Sequence, residues 1–186
     1  VSGSLEEELK TIIRRRDEVT LDRVDCLIEQ APVLDLERHV EAAEFFHMAA
    51  GVLAPALGVE ETTLADKLRH REARGGSLLS AHLAVPPVVI EGEGKFQLLL
   101  VRAREGVAFS ERAPHVTAVF VVAGTPDERD FHLQVLAAIA QVFREEGFQE
   151  QWLSATNEQG LRDLVLLTER QRGQAAQCRP GRDKPT

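Results

Sequence analysis

Three apolar segments, Leu83 to Ile90, Phe96 to Ala103 and Val116 to Gly124, constrain the fold of this chain more than any other feature. Each is dense in Val, Leu, Ile and Phe, the composition of strands buried on both faces of a sheet. Such strands need a covering layer above and below. Glu41 to Leu57 places Phe46, Ala49, Ala50, Leu53 and Leu57 at helical spacing, with Gly58 as a left-handed stop. Glu60 to Arg74 turns Leu64 and Leu68 inward and ends at Gly75-Gly76. Thr125-Pro126-Asp127 opens a helix from Glu128 to Glu145, whose inward face runs from Phe131 and His132 through Val135, Leu136, Ile139 and Val142 to Phe143. A short helix from Phe148 to Ser154 carries Trp152, and a last one from Asn157 to Glu169 has Thr156 and Gln159 at capping-box spacing. Helices before, between and after buried strands predict a layered α/β domain.

Upstream of that domain, Glu6 to Arg16 is a strongly charged helical stretch in which Leu5, Leu9, Ile12 and Ile13 form a narrow apolar stripe that wants a partner. Leu21 to Gln30 reads as a second short helix, capped in the Thr20 to Asp22 region, and Pro32 breaks it before a short strand or turn at Val33 to Leu36. The chain divides accordingly into a connector (1–31), an α/β domain (32–169) and a tail (170–186) expected to be disordered. That tail holds five basic residues against Asp183, whereas the whole chain carries a net charge of −8. An acidic body without a concentrated basic face argues against nucleic-acid binding. Cys26 and Cys178 lie far apart and match neither a disulfide framework nor a zinc spacing, which makes a reducing compartment the default. No apolar run is long enough to cross a bilayer. The sequence starts at Val1 with no export signal, the pattern expected of a piece of something longer.

Few motifs carry chemistry. Gly92-Glu93-Gly94-Lys95 lacks the spacing of a phosphate loop and reads as a turn. There is no serine-hydrolase elbow, paired-His metal helix or calcium loop, so no cofactor or metal is expected. More informative is the succession of Arg71-Glu72, Gly76-Ser77 and Leu83-Ala84-Val85-Pro86-Pro87, joined later in the chain by His132-Leu133 and Val135-Leu136. In this order, from Leu36 to Leu167, the chain resembles the type 2 enzyme IIA domain of the sugar phosphotransferase system, the mannitol, fructose and nitrogen-regulatory kind. The resemblance implies a three-layer α/β/α sandwich with a central mixed sheet of about five strands, preceded by connector helices.

In that family the strand ends Ile-Ala-Ile-Pro-His, and its histidine attacks the phosphoryl donor. Here the position is Pro87, which has no nucleophilic atom. The resemblance makes His132 the assisting histidine and Arg71 the cationic helper, and it places His82 where the family has a glycine. No catalytic residue is therefore assigned, and Arg71, Ser77, His82 and His132 remain as a vestigial anion or ligand site. The stretches Val88 to Phe96, Leu98 to Arg102, Glu105-Gly106-Val107 and Asp127 to His132 resemble a particular branch, enzyme IIA-like domains at the cytoplasmic end of bacterial or archaeal transporters and channels. The function this implies is a non-catalytic regulatory domain at the inner face of the cell membrane. Its expected partners are the membrane-spanning part of the same polypeptide, a second copy and a small ligand or anion. Two alternatives stand beside it: a divergent phosphocarrier phosphorylated on His82 or His132, and a stand-alone regulator like the nitrogen-regulatory members.

Overall fold

The computed structural model describes residues 7–10, 12, 21–168, 170, 172 and 178. Of the leading charged stretch, residues 7–10 and 12 are helical, with Leu9 and Ile12 exposed; its other residues lie outside the described ones. Helix α1 (Arg23–Gln30) starts at a reciprocal cap in which Asp22 accepts from the Asp25 N–H and the Asp25 carboxylate accepts from the Asp22 N–H, each at 2.9 Å. Strands β1 (Val33–Leu36) and β2 (Val40–Glu41) precede helices α2 (Ala42–Leu57) and α3 (Glu61–Ala73). Gly58, at φ 66°, is the left-handed stop read from the sequence.

The predicted strand Leu83 to Ile90 is two, β3 (Leu83–Ala84) and β4 (Pro87–Val89), because the chain leaves the ladder at Val85-Pro86. Strands β5 (Phe96–Ala108) and β6 (Val116–Gly124) are antiparallel and central, while β1 and β2 run parallel to β5 and β3 and β4 parallel to β6. The sheet is mixed, as expected, with six strands. Strand β5 outruns its expected end through a register shift between Arg102 and Val107. Gly106 sits in that bulge at φ +81°, where a Cβ would meet His115 Cα at 2.6 Å.

Burial on both faces obeys the period of two. Leu99, Val101, Val119 and Val121 pack on α2 and α3. Leu98, Leu100, Phe120 and Val122 pack on α1 and on three later helices, α4 (Arg129–Arg144), α5 (Phe148–Ser154) and α6 (Glu158–Leu166). A 3₁₀ turn, Pro126–Glu128, leads into α4. Helix α6 is capped by Asn157, which accepts from the Gly160 N–H at 2.8 Å, rather than by the expected Thr156. No described helix is long and apolar enough to cross a membrane.

One reading changes at the C-terminus. Cys26 and Cys178, 152 residues apart, form a disulfide, so their spacing misled and gives no argument for a reducing compartment: a returning chain end makes contacts that linear distance does not encode. The three described residues of the basic tail are all docked on α1. Arg170 pairs with Asp22 and Asp25, each at 2.7 Å, and Arg172 pairs with Asp25 at 2.9 Å. The rest of the tail lies outside the described residues.

Candidate functional site

Parallel strands β4 and β6 leave the sheet at the same end, where the turn and helix beyond β6 face the last turns of α3. Between these elements lies a cleft of about 1040 Å³. One wall is α3; the other is β4, the turn at Thr125-Pro126 and the first turns of α4. That turn is fixed in place. The Thr125 hydroxyl donates to Asp127 at 2.5 Å, the other Asp127 oxygen accepts from the Gly94 N–H at 2.8 Å, and Arg23 pairs with Glu128 while lying 3.7 Å over the Phe131 ring. The hydroxyl hydrogen bond from Thr125, then the Gly94 amide, hold the Asp127 carboxyl below its ordinary range.

Arg71, Pro87 and His132, which adjoin one another nowhere in the sequence, all line this cleft. Arg71 donates from Nη1 to the Gly75 carbonyl at 2.7 Å, which fixes one end of the guanidinium at the rim of the cleft its side chain lines. Pro87 begins β4 on the sheet edge, where a missing N–H costs no ladder bond. His132 is half-buried with its ring edge-on to Phe96 at 5.6 Å. Burial pushes its imidazole below the usual 6.5, so the neutral form prevails at neutral pH.

The other two expected site residues lie elsewhere. His82 precedes β3, five residues before Pro87, and strand geometry places it roughly 15 Å away toward the opposite end of the sheet. Its Nδ1 is 3.2 Å from the His115 carbonyl. Ser77 is buried outside the cleft lining, and its hydroxyl has no hydrogen-bond partner among the described residues.

Four side chains of the cleft were missed in the sequence: Lys67, His70, Arg74 and Arg129. The signal was there for three of them, since 67, 70, 71 and 74 fall on one face of a helix. His70 Nδ1 is 2.7 Å from the Asp66 carbonyl, which can only accept, so Nδ1 carries the proton and Nε2 holds the lone pair while the ring is neutral. Asp66, the single carboxylate of the lining, is paired with Arg69 at 2.7 Å. Lys67, Arg74 and Arg129 have no side-chain partner among the described residues. No group of three or more His, Cys, Asp or Glu gathers as a metal site among them.

The family model for the phosphoenolpyruvate-dependent sugar phosphotransferase system, EIIA 2, matches residues 34–167. Comparison with curated proteins returns no match. Among solved structures the chain is similar to the nitrogen regulatory protein IIA-Ntr from Neisseria meningitidis, with TM-score 0.67 and 22% identity over 74% of this chain and 97% of that one. It is also similar to IIA mannitol from Escherichia coli, with TM-score 0.58 and 21% identity over 79% of this chain and 99% of that one. A third similar structure is the Escherichia coli mannitol enzyme IIA in complex with phosphorylated enzyme IIB, with TM-score 0.59 and 21% identity over 78% of this chain and 96% of that one. At these identities the structures speak for the fold alone.

Proposed function

The chain belongs to the EIIA type 2 family of the phosphoenolpyruvate-dependent sugar phosphotransferase system, and we propose that within it this domain regulates a partner without relaying a phosphoryl group. One observation carries the reading. Pro87 stands in the cleft beside Arg71 and His132, and a pyrrolidine ring offers no lone pair for attack on phosphorus. The cationic surroundings of a phosphoryl group remain while the acceptor is gone, a combination that suits recognition.

Such a domain works by holding an occupant more tightly in one state of its partner than in another, since only differential affinity shifts an equilibrium. We place it at the cytoplasmic face of a membrane transporter or channel, with copies paired through the leading helix. The exposed Leu9 and Ile12 support that placement, being apolar positions on a charged helix that leave a stripe to be covered.

A phosphocarrier role through another imidazole is the competing reading, favoured by His132 and His70 in the same cleft. Incubation with phosphorylated phosphocarrier protein separates the two. The regulatory reading expects no protein-bound label; an acid-labile phosphohistidine at either residue selects the carrier. Expression of the natural full-length reading frame, with membrane fractionation of the cells, tests the placement.

A further inference from the structure

The cleft is cationic beyond what the family resemblance accounts for. Lys67 and Arg74 reach it from α3 and Arg129 from α4, and none of the three has a side-chain partner among the described residues. The chain has 30 acidic residues against 22 basic ones, so three unpaired cations around one hollow run against its composition. Arg129 is also misplaced by local rules. It is the first residue of α4, where the helix dipole disfavours a positive charge. A residue that breaks a local rule while facing a cleft marks function more often than accident.

The wall facing Lys67 and Arg74, which also carries Arg129, is largely apolar. Val88, Val89, Pro126, Leu133 and Leu136 line it, and Val89 and Leu133 are exposed. At about 1040 Å³ the hollow lies at the upper end of the range of small-molecule sites. We propose that it binds a small organic phosphate monoester, its dianion held by Arg74, Arg129 and Lys67 and its body laid on the wall formed by Val89, Leu133 and Leu136. Guanidinium forks match tetrahedral oxyanions in pairs, and a dianion balances cations that otherwise repel one another. His70 lines the same space and, with Nδ1 on the Asp66 carbonyl, keeps Nε2 as its remaining hydrogen-bonding atom. This assignment rests on the regulatory reading and names the class of occupant that reading requires.

Calorimetric titration tests it. The full chain is titrated with AMP, glucose 6-phosphate and inorganic phosphate, with adenosine, glucose and succinate as controls, at two salt concentrations. The expected result is saturable binding of the two monoesters, tighter than that of inorganic phosphate and weakened by salt, with neither neutral parent binding. Arg74→Ala and Arg129→Ala should each weaken it about tenfold or more. Both positions are exposed, and circular dichroism checks that each variant stays folded. Absence of saturable binding up to about 10 mM, binding unchanged in both variants, or succinate binding as tightly as the monoesters would overturn the assignment. Because the titration contains no phosphoryl donor, its failure leaves the phosphotransfer result untouched, and a labelled histidine leaves the binding constants untouched.

Discussion

Cys26 on α1 and Cys178 at the end of the chain are joined by a disulfide, with their Cα atoms 5.1 Å apart and a sequence separation of 152 residues. Beside the bond, Arg170 and Arg172 reach the Asp25 carboxylate, and Asp25 is fully buried. The chain end therefore straps the helix that positions Glu128 through Arg23. Closing a loop of this length removes about 5 kcal/mol of denatured-state freedom in the chain-entropy account. For a domain of this size that corresponds to a Tm lowered by about 10–20 °C in Cys178→Ser relative to the oxidised protein, measured by calorimetry with and without a dithiol reductant. The wild type under reductant should match the variant.

Arg102 and Asp35 are adjacent across β1 and β5. The guanidinium is wholly buried and donates to both carboxylate oxygens, at 3.0 and 2.6 Å, while its Nη1 donates to the carbonyls of Trp152 and Ala155. This arginine ties the C-terminus of α5 to the sheet. Asp35→Asn leaves the buried cation without its counter-charge and should cost about 3–5 kcal/mol in denaturant unfolding at pH 7. The hydrogen bond from Arg102 holds the Asp35 carboxyl below its ordinary 3.8. Its stabilisation is thus complete above about pH 3.8 and is lost as pH falls through the lowered folded value. The Asn variant should show no loss from this source in that window.

Gly124 and His132 are linked through one ring. A Cβ on Gly124 would meet Phe96 Cδ2 at 2.6 Å, and Phe96 packs on Phe131 at 4.7 Å and on His132 at 5.6 Å. Gly124→Ala should cost about 1–3 kcal/mol by overpacking and should move the His132 titration measured by NMR. In the wild type that imidazole titrates below 6.5 because burial disfavours its charged form. Its contribution to stability is complete above that pH and erodes as pH falls toward the folded value.

Much of the fold was legible because burial wrote it into composition. Segments 96–103 and 116–124 are apolar except at Gln97, Arg102 and Thr117 since both of their faces are covered, and α2, α3 and α4 lie within a residue or two of their expected ends. What escaped depends on contacts distant in sequence. Arg102 sits in an apolar run without announcing that Asp35 and the α5 carbonyls surround it, and Cys178 has no local pattern that points to Cys26. Asn157 displaced Thr156 as the cap of α6 because either residue suits a cap and only the chain's approach decides. In the site, Arg71, Pro87 and His132 line one cleft, the grouping that the family resemblance implied. His82 enters the reading because it stands where the family has a glycine, although a strand carries residues apart as fast as it adds them. The stripe of Lys67, His70 and Arg74 beside Arg71 was visible at helical spacing and was overlooked because a charged helix face is so commonly just a solvated one.

The central claim is that Pro87 ends phosphotransfer in a cleft that keeps its cations and two imidazoles. The direct measurement is transfer of radiolabelled phosphate from phosphorylated phosphocarrier protein to the wild-type chain and to Pro87→His, with peptide mapping of any acid-labile label. The wild type should remain unlabelled while Pro87→His gains label at position 87. Stoichiometric label on His70 or His132 of the wild type would contradict it.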